Sequence, residues 1–176
     1  MPYSIRPALL SDLPAFARVE RKAGALFKTI GLDILADDVA DPEFVASFIR
    51  VENALVVVDA SDTVVGFALA FNLDGALHLQ EMSVDPAHGR KGLGGNLLKA
   101  VDEIAKSRHL SVTTLSTFID VPWNAPFYAR HGYRIAVPAE WTPGFHILRA
   151  HEVHEGLPAE RRCFMKKSVS ESASKN

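Results

Sequence analysis

Between Leu55 and Val84, short apolar runs alternate with clusters of turn residues. Leu55–Val58, Val64–Phe71 and Leu77–Val84 are rich in β-branched and large hydrophobic residues, and are separated by Ser61-Asp62-Thr63 and by Asp74-Gly75. Runs of this length predict strands, and Asp-Gly between two of them is a strong hairpin signal, so three consecutive antiparallel strands are predicted. The period then changes. Leu93, Leu97, Val101, Ile104 and Ala105 fall on one helical face, while Lys99 and Glu103 sit outside at i,i+4 spacing. Leu110–Phe118 reads as the next strand, parallel to the one before because a helix intervenes. Upstream, Ser4–Pro7 predicts a first strand, and Ser11 or Asp12 caps a helix to about Lys22 with Pro14 in its first turn. A short helix is expected around Asp33–Asp38 within Ala25–Ala40, and another over Pro42–Arg50. Downstream, Asn124 as cap, Pro126 in the first turn and Gly132 as stop predict a helix of about two turns. Pro138–Pro158 reads as a long connection or a dimer contact. Arg161–Lys167 should return as a last strand beside Tyr133–Val137.

Composition narrows the class without naming the chemistry. At 176 residues and 48% hydrophobic, the chain can bury one core, and residues 1–167 are expected to form a single domain. Ser168–Asn176 is polar enough for a disordered tail. A net charge of -2 gives no general attraction to nucleic acid or an anionic membrane, so neither is expected as a partner. The single Cys163 leaves no internal disulfide. No apolar run approaches membrane-spanning length, and the opening MPYSIRPALLSDLP lacks the continuous apolar stretch of a secretory signal. Cytoplasmic residence is the default expectation.

The chemistry concentrates in Leu77–Leu98, where an apolar strand runs through a glycine-rich turn into a helix. Gly89, Gly92, Gly94 and Gly95 surround Arg90 and Lys91. A strand, a glycine turn and a helix N-terminus aim backbone N–H groups at an anion, and glycine lets the backbone come close. The cations add Coulomb attraction, so a pyrophosphate is the expected ligand. A triphosphate loop would end Gly-Lys-Ser/Thr, but Asn96 and Leu97 follow Gly95. A dinucleotide fingerprint fails at its last glycine, where Leu97 stands.

Val84-Asp-Pro86-Ala-His-Gly89-Arg-Lys-Gly92-Leu-Gly94 resembles the acetyl-CoA loop of the GNAT N-acetyltransferase superfamily, usually written Arg/Gln-x-x-Gly-x-Gly/Ala after a valine-ending strand. Gly89 takes the slot usually held by Arg or Gln, and Arg90 a slot that is often Gly. A second motif also resembles that superfamily: Asn124-Ala-Pro-Phe-Tyr128 followed by Gly132-Tyr133. Together the two motifs cover about Leu77–Tyr133. The resemblance implies a mixed, mostly antiparallel sheet of six to seven strands, splayed between the fourth and fifth and flanked by helices. It implies acetyl-CoA as cosubstrate, held by Gly89, Arg90, Lys91, Gly92, Gly94 and Gly95. Asn124 would contact the pantetheine arm and Tyr128 would lie near the thioester sulfur. Met82 and Val84 would offer backbone groups to a pantetheine inserted like an extra strand, with the Met82 N–H polarising the thioester carbonyl. The structural alternatives are a helix cap for Asn124 and a helix aromatic for Tyr128.

Acyl transfer to an amine requires loss of the ammonium proton, stabilisation of the thioester oxygen and stabilisation of the departing thiolate. Glu81 is the first candidate base, because a carboxylate also attracts a cationic amine. His78 is the second, because an ordinary histidine pKa of about 6.5 suits the task. In a regular strand the two point to opposite faces, so both reach one cleft only across a bulge. On the acceptor side, the resemblance places Phe27 and Ile30 in a covering loop and Asp120 and Trp123 after the fifth strand, a set suited to a small organic cation. His151-x-x-His154 lacks the further ligands of a zinc site, so no metal is expected. The reading is direct transfer of acetyl from acetyl-CoA to a primary amine of a small molecule. Transfer to a protein N-terminus or lysine, transfer of a longer acyl group, and a non-catalytic acyl-CoA sensor stay open, as does a homodimer.

Overall fold

A computed structural model describes residues 2–33 and 39–169. It is a mixed α/β fold with one seven-stranded, mostly antiparallel sheet whose strands lie in chain order, except that the seventh stands between the fifth and the sixth. The chain divides into two compact units. One comprises residues up to 71 together with 80–101, and the other comprises 72–79 together with the chain from 102 onward.

In the first unit, β1 (Tyr3–Pro7) pairs antiparallel with β2 (Ala54–Asp59), which pairs antiparallel with β3 (Val64–Leu73). Helices α1 (Leu13–Lys28) and α2 (Pro42–Arg50) bury Phe16, Val19, Val45 and Phe48 in a core shared with Val56, Phe67 and Leu69. Phe16 and Phe67 meet at 4.6 Å. The Asp41 carboxylate caps α2 by accepting from the N–H groups of Glu43 and Phe44.

The expected end of α1 at Lys22 is corrected to Lys28. Its apolar stripe continues through Phe16, Val19 and Phe27, and the helix is closed only where Gly31 takes a φ of 72°. There the Leu32 N–H bonds the Phe27 carbonyl and the Gly31 N–H that of Lys28, the pairing of a Schellman end. Asp12 stands at the N-cap of α1 without a side-chain cap bond. Its carboxylate instead accepts from the Leu9 N–H at 2.8 Å and from Arg6 at 2.7 and 3.0 Å, closing the 3₁₀ turn Leu10–Asp12 that precedes the helix. Most of the helix expected around Asp33–Asp38 lies outside the described residues.

The turn between β3 and β4 (Ala76–Val84) is made by Asp74 and Gly75, with φ of 49° and 81°, the left-handed pair that a two-residue hairpin demands. Helix α3 (Leu93–Ser107) buries Leu93, Leu97, Leu98, Val101 and Ala105. In the second unit, Leu77, His78 and Leu79 of β4 pair in parallel with Thr113, Thr114 and Leu115 of β5 (Val112–Phe118). The last strand, β7 (Arg162–Ser168), pairs antiparallel with β5 along its whole length and on its other side with the short β6 (Arg134–Ile135).

Pro138–Pro158 is not an open connection. It contains a 3₁₀ turn and α5 (Pro143–His154), capped by Thr142, whose Phe145 stacks on Phe164 at 4.2 Å. Ser168 and Val169, expected in the polar tail, are part of the fold. Ser168 closes β7, and the buried Val169 donates its N–H to the Ser111 carbonyl at 2.8 Å.

Candidate functional site

The glycine-rich turn lies in the first unit and is fixed at its entrance by Asp85. The Asp85 N–H bonds the Val65 carbonyl at 2.8 Å, and its buried carboxylate accepts from the Ala87 N–H at 3.0 Å and from Lys22 at 2.6 Å. Burial works against that charge, but the Lys22 and Ala87 bonds outweigh it and hold the carboxyl below its usual range. Gly66 of β3 lets the end of β4 come close, since a Cβ there would stand 3.1 Å from the Ser83 carbonyl oxygen and 3.2 Å from Val84.

After the 3₁₀ turn Pro86–His88, the exchanged pair Gly89-Arg90 acquires a geometric meaning. Gly89 is extended, with φ of -65° and ψ of 165°, but an added Cβ would meet the Pro86 carbonyl oxygen at 3.0 Å. Arg90 carries the left-handed conformation instead, at φ 57°. Gly92 follows at φ 76° in open space, and its carbonyl takes the first α3 bond, from the Asn96 N–H. The N–H groups of Leu93, Gly94 and Gly95 therefore precede the first intrahelical bond and point out of the helix end, where the dipole favours an anion. Gly94 and Gly95 keep that end free of side chains.

On β4, Glu81, Met82, Ser83 and Val84 are all half-buried, and the Ser83 hydroxyl lies 3.4 Å from the Glu81 carboxylate. These residues belong to the first unit, as do Phe27 in the last turn of α1 and Ile30, whose N–H bonds the Phe27 carbonyl at 3.2 Å.

His78 belongs to the second unit and is only 2% exposed. Its Nδ1 lies 2.9 Å from the Thr114 hydroxyl, and Phe145 stands edge-on at 6.3 Å. Burial pushes its pKa down to about 4, so the ordinary value on which its candidacy as a base rested does not apply here.

Helix α4 (Ala125–Arg130) carries the second motif in the same unit. Asn124 occupies the N-cap position and its carbonyl accepts from the Tyr128 N–H at 3.0 Å, yet its side chain makes no cap bond, contrary to the cap expectation. Gly132, at φ 89°, ends the helix as expected. Tyr128 is half-buried, with Phe127 at 5.3 Å and Tyr133 at 5.8 Å, both edge-on. Trp123 is half-buried. Asp120 is exposed and paired with Arg161 at 2.9 Å, a bond that holds its carboxyl below the usual range.

Several groups escape sequence reasoning. Tyr3 and Lys22 brace the glycine turn from distant positions, and nothing in their local sequence announces it. In the second unit, buried Glu152 is held by Arg162 at 2.6 Å, by Arg149 at 3.1 Å and by the Ser116 hydroxyl. Among the described residues, no three His, Cys, Asp or Glu side chains gather as a metal site.

Residues 51–135 match the family model for the acetyltransferase (GNAT) domain. Solved structures with the same fold include the ribosomal-protein-alanine N-acetyltransferase of Escherichia coli, at 18% identity and a TM-score of 0.67, covering 99% of this chain and 98% of that one. A GNAT-family acetyltransferase from Staphylococcus aureus aligns at 15% identity and 0.73 over 96% and 99%. PaiA N-acetyltransferase from Thermoplasma acidophilum, solved with coenzyme A, aligns at 17% identity and 0.63, also over 96% and 99%. Residues 51–135 are thus similar to the GNAT acetyltransferase domain, and the chain has the fold of the GNAT acetyltransferases.

Proposed function

We propose that this protein is an acetyl-CoA-dependent N-acetyltransferase that moves the acetyl group directly onto a primary amine of a small molecule. The observation that carries the reading is the end of α3, where Gly92 turns left-handed in open space and the N–H groups of Leu93, Gly94 and Gly95 precede the first intrahelical bond. That cradle fits a diphosphate, and the domain match supports coenzyme A as the molecule that carries it. Gly89, Arg90 and Lys91 complete the loop. Met82 and Val84 supply backbone groups to the pantetheine, and Asn124 its side-chain amide.

The chemistry follows from the demands of acyl transfer. Glu81, directly or through a water, takes the proton of the acceptor ammonium. The free amine attacks the thioester carbon, the Met82 N–H stabilises the oxygen as it becomes negative, and the carbon–sulfur bond breaks as the nitrogen gives its second proton to solvent. Tyr128 hydrogen-bonds the departing thiolate. With ordinary pKa values of about 10 for tyrosine and 8.5 for a thiol, full proton transfer is uphill by roughly 2 kcal/mol, so Tyr128 acts more as a stabiliser than as an acid. His78 is assigned no proton transfer, because it is buried and its conjugate acid is strong. Phe27, Ile30 and Trp123 would supply the apolar part of the acceptor site. Asp120 attracts a cationic amine only by exchanging its bond to Arg161.

A protein acceptor is the second reading, favoured by the likeness to a ribosomal-protein-alanine N-acetyltransferase. Thiol release from acetyl-CoA, measured across a panel of small amines and N-terminal peptides, decides between them. Turnover with small amines supports the proposal, and turnover confined to peptides replaces it with the second reading. Tight acyl-CoA binding without turnover over either panel would make the chain a sensor.

A further inference from the structure

Two lysines approach the glycine turn, and they are held in opposite ways. Lys22 is neutralised by the Asp85 carboxylate at 2.6 Å. Among the described residues, Lys91 pairs with no carboxylate. Its ammonium donates to the Tyr3 hydroxyl at 2.8 Å and stands 5.3 Å from the centre of the Tyr3 ring. The same hydroxyl lies 3.0 Å from His88 Nδ1, and the His88 ring packs edge-on against Tyr3 at 5.8 Å. One side chain of β1 thus engages both ends of the His88–Lys91 stretch.

We propose that Tyr3 is a positioning residue for acetyl-CoA binding, holding Lys91 ready for the diphosphate. The proposal rests on the acetyltransferase reading above. A hydroxyl has one proton to give and two lone pairs to accept with. When the proton goes to His88 Nδ1, a lone pair is left to take one of the three ammonium protons of Lys91, and two remain for a ligand. Because the hydroxyl and the ring are both neutral, they do not offset the charge of Lys91, whereas Asp85 offsets that of Lys22. A free lysine side chain gives up rotamer freedom when it is fixed. Here the ring and hydroxyl of Tyr3 have already removed much of that freedom, so less is lost when the anion arrives.

The test is CoA affinity by titration calorimetry for the wild type, Tyr3→Phe, Lys91→Ala and the double variant, together with KM and kcat for acetyl-CoA. Tyr3→Phe keeps the ring and the strand and removes only the hydroxyl. It is expected to weaken CoA about three- to tenfold, with the loss appearing in KM and not in kcat. The double variant is expected to bind no more weakly than Lys91→Ala alone, because the hydroxyl acts through that ammonium. Unchanged or tighter binding by Tyr3→Phe would overturn the assignment, as would losses that add in the double variant. Failure of the wild type itself to bind CoA would remove the acetyltransferase reading and this proposal with it, whereas wild-type binding with an indifferent Tyr3→Phe removes this proposal alone.

Discussion

At the scale of single residues, the site divides into groups whose chemistry follows from residue type and groups whose chemistry is set by surroundings. His78 is of the second kind. Beside Gln80 and Glu81 its sequence suggests a titratable strand histidine, but the strand is covered on both faces there and the ring is buried with Thr114 as neighbour. Unfolded, it titrates near 6.5, and folded near 4. Between those values the unfolded chain binds the extra proton, so the contribution to stability is complete above about pH 6.5, falls as the pH drops, and stops falling near pH 4. Denaturant unfolding from pH 7 to 4.5 should show a loss of roughly 1 kcal/mol per pH unit through the middle of that window. In His78→Gln, which keeps a partner for Thr114 but cannot titrate there, most of that slope should vanish. The carboxylates interfere little, since Asp12 and Glu140 are held below their usual range and take up protons only in more acid solution. Tyr128, proposed from its motif as the group that stabilises the departing thiolate, is of the first kind. Tyr128→Phe keeps the contacts of the ring with Phe127 and Tyr133, so kcat should fall about ten- to a thousandfold, roughly 1.4–4 kcal/mol, with CoA affinity nearly unchanged. Wild-type turnover under rate-limiting chemistry would reduce Tyr128 to a packing residue.

At the scale of elements, periodicity read well where one face is apolar and poorly where it is not. The stripe of α3 and the β-branched runs of β2 and β3 are visible in the sequence because burial there is one-sided or continuous. Helix α5 is not. It buries Gly144, Phe145 and Glu152 while Ile147 and Val153 are exposed, so hydrophobicity does not follow the helical period, and Thr142-Pro143 is its only clear signal. Helix ends show the same divide. All five α-helices described close with the same pair of bonds, and the left-handed residue is Gly31, Glu52, His109, Gly132 and Gly156 in turn. Three of these are glycines that the sequence displays. Nothing in it marks Glu52 or His109, because a non-glycine in that conformation is imposed by the packing of the residue beyond. After α3, the Leu110 N–H bonds the Ala105 carbonyl and the His109 N–H that of Lys106, each at 2.9 Å, while the exposed His109 sits at φ 55°. His109→Gly removes the Cβ clash of that conformation and should raise stability by about 1 kcal/mol, read as a higher midpoint in denaturant with an unchanged slope. A lower midpoint would show that the imidazole contributes more than the strain it carries.

At the scale of the whole molecule, the order of strands was the part least open to sequence reasoning. β7 was expected beside the segment after Gly132, and it does pair with β6, but it also inserts along all of β5, a pairing across some fifty residues that no local pattern encodes. That insertion bears on mechanism through Cys163. A thiol in an acyltransferase invites a two-step reaction, in which the enzyme first takes the acetyl group as a thioester and then passes it on. In β7, Cys163 pairs opposite Thr117 and is buried, and desolvation raises its pKa, so the thiolate such a step requires is disfavoured. The alternative is direct attack of the amine on bound acetyl-CoA, which needs both substrates present together. Initial rates measured against both substrates should therefore give intersecting double-reciprocal lines, and acetyl-CoA without acceptor should leave the mass of the protein unchanged. Cys163→Ala should keep kcat within about twofold while losing some stability from the small cavity it leaves. Parallel lines with an acetylated Cys163 would reverse the mechanism, and intersecting lines with an inactive but folded Cys163→Ala would mean that β7 shapes the site through that side chain.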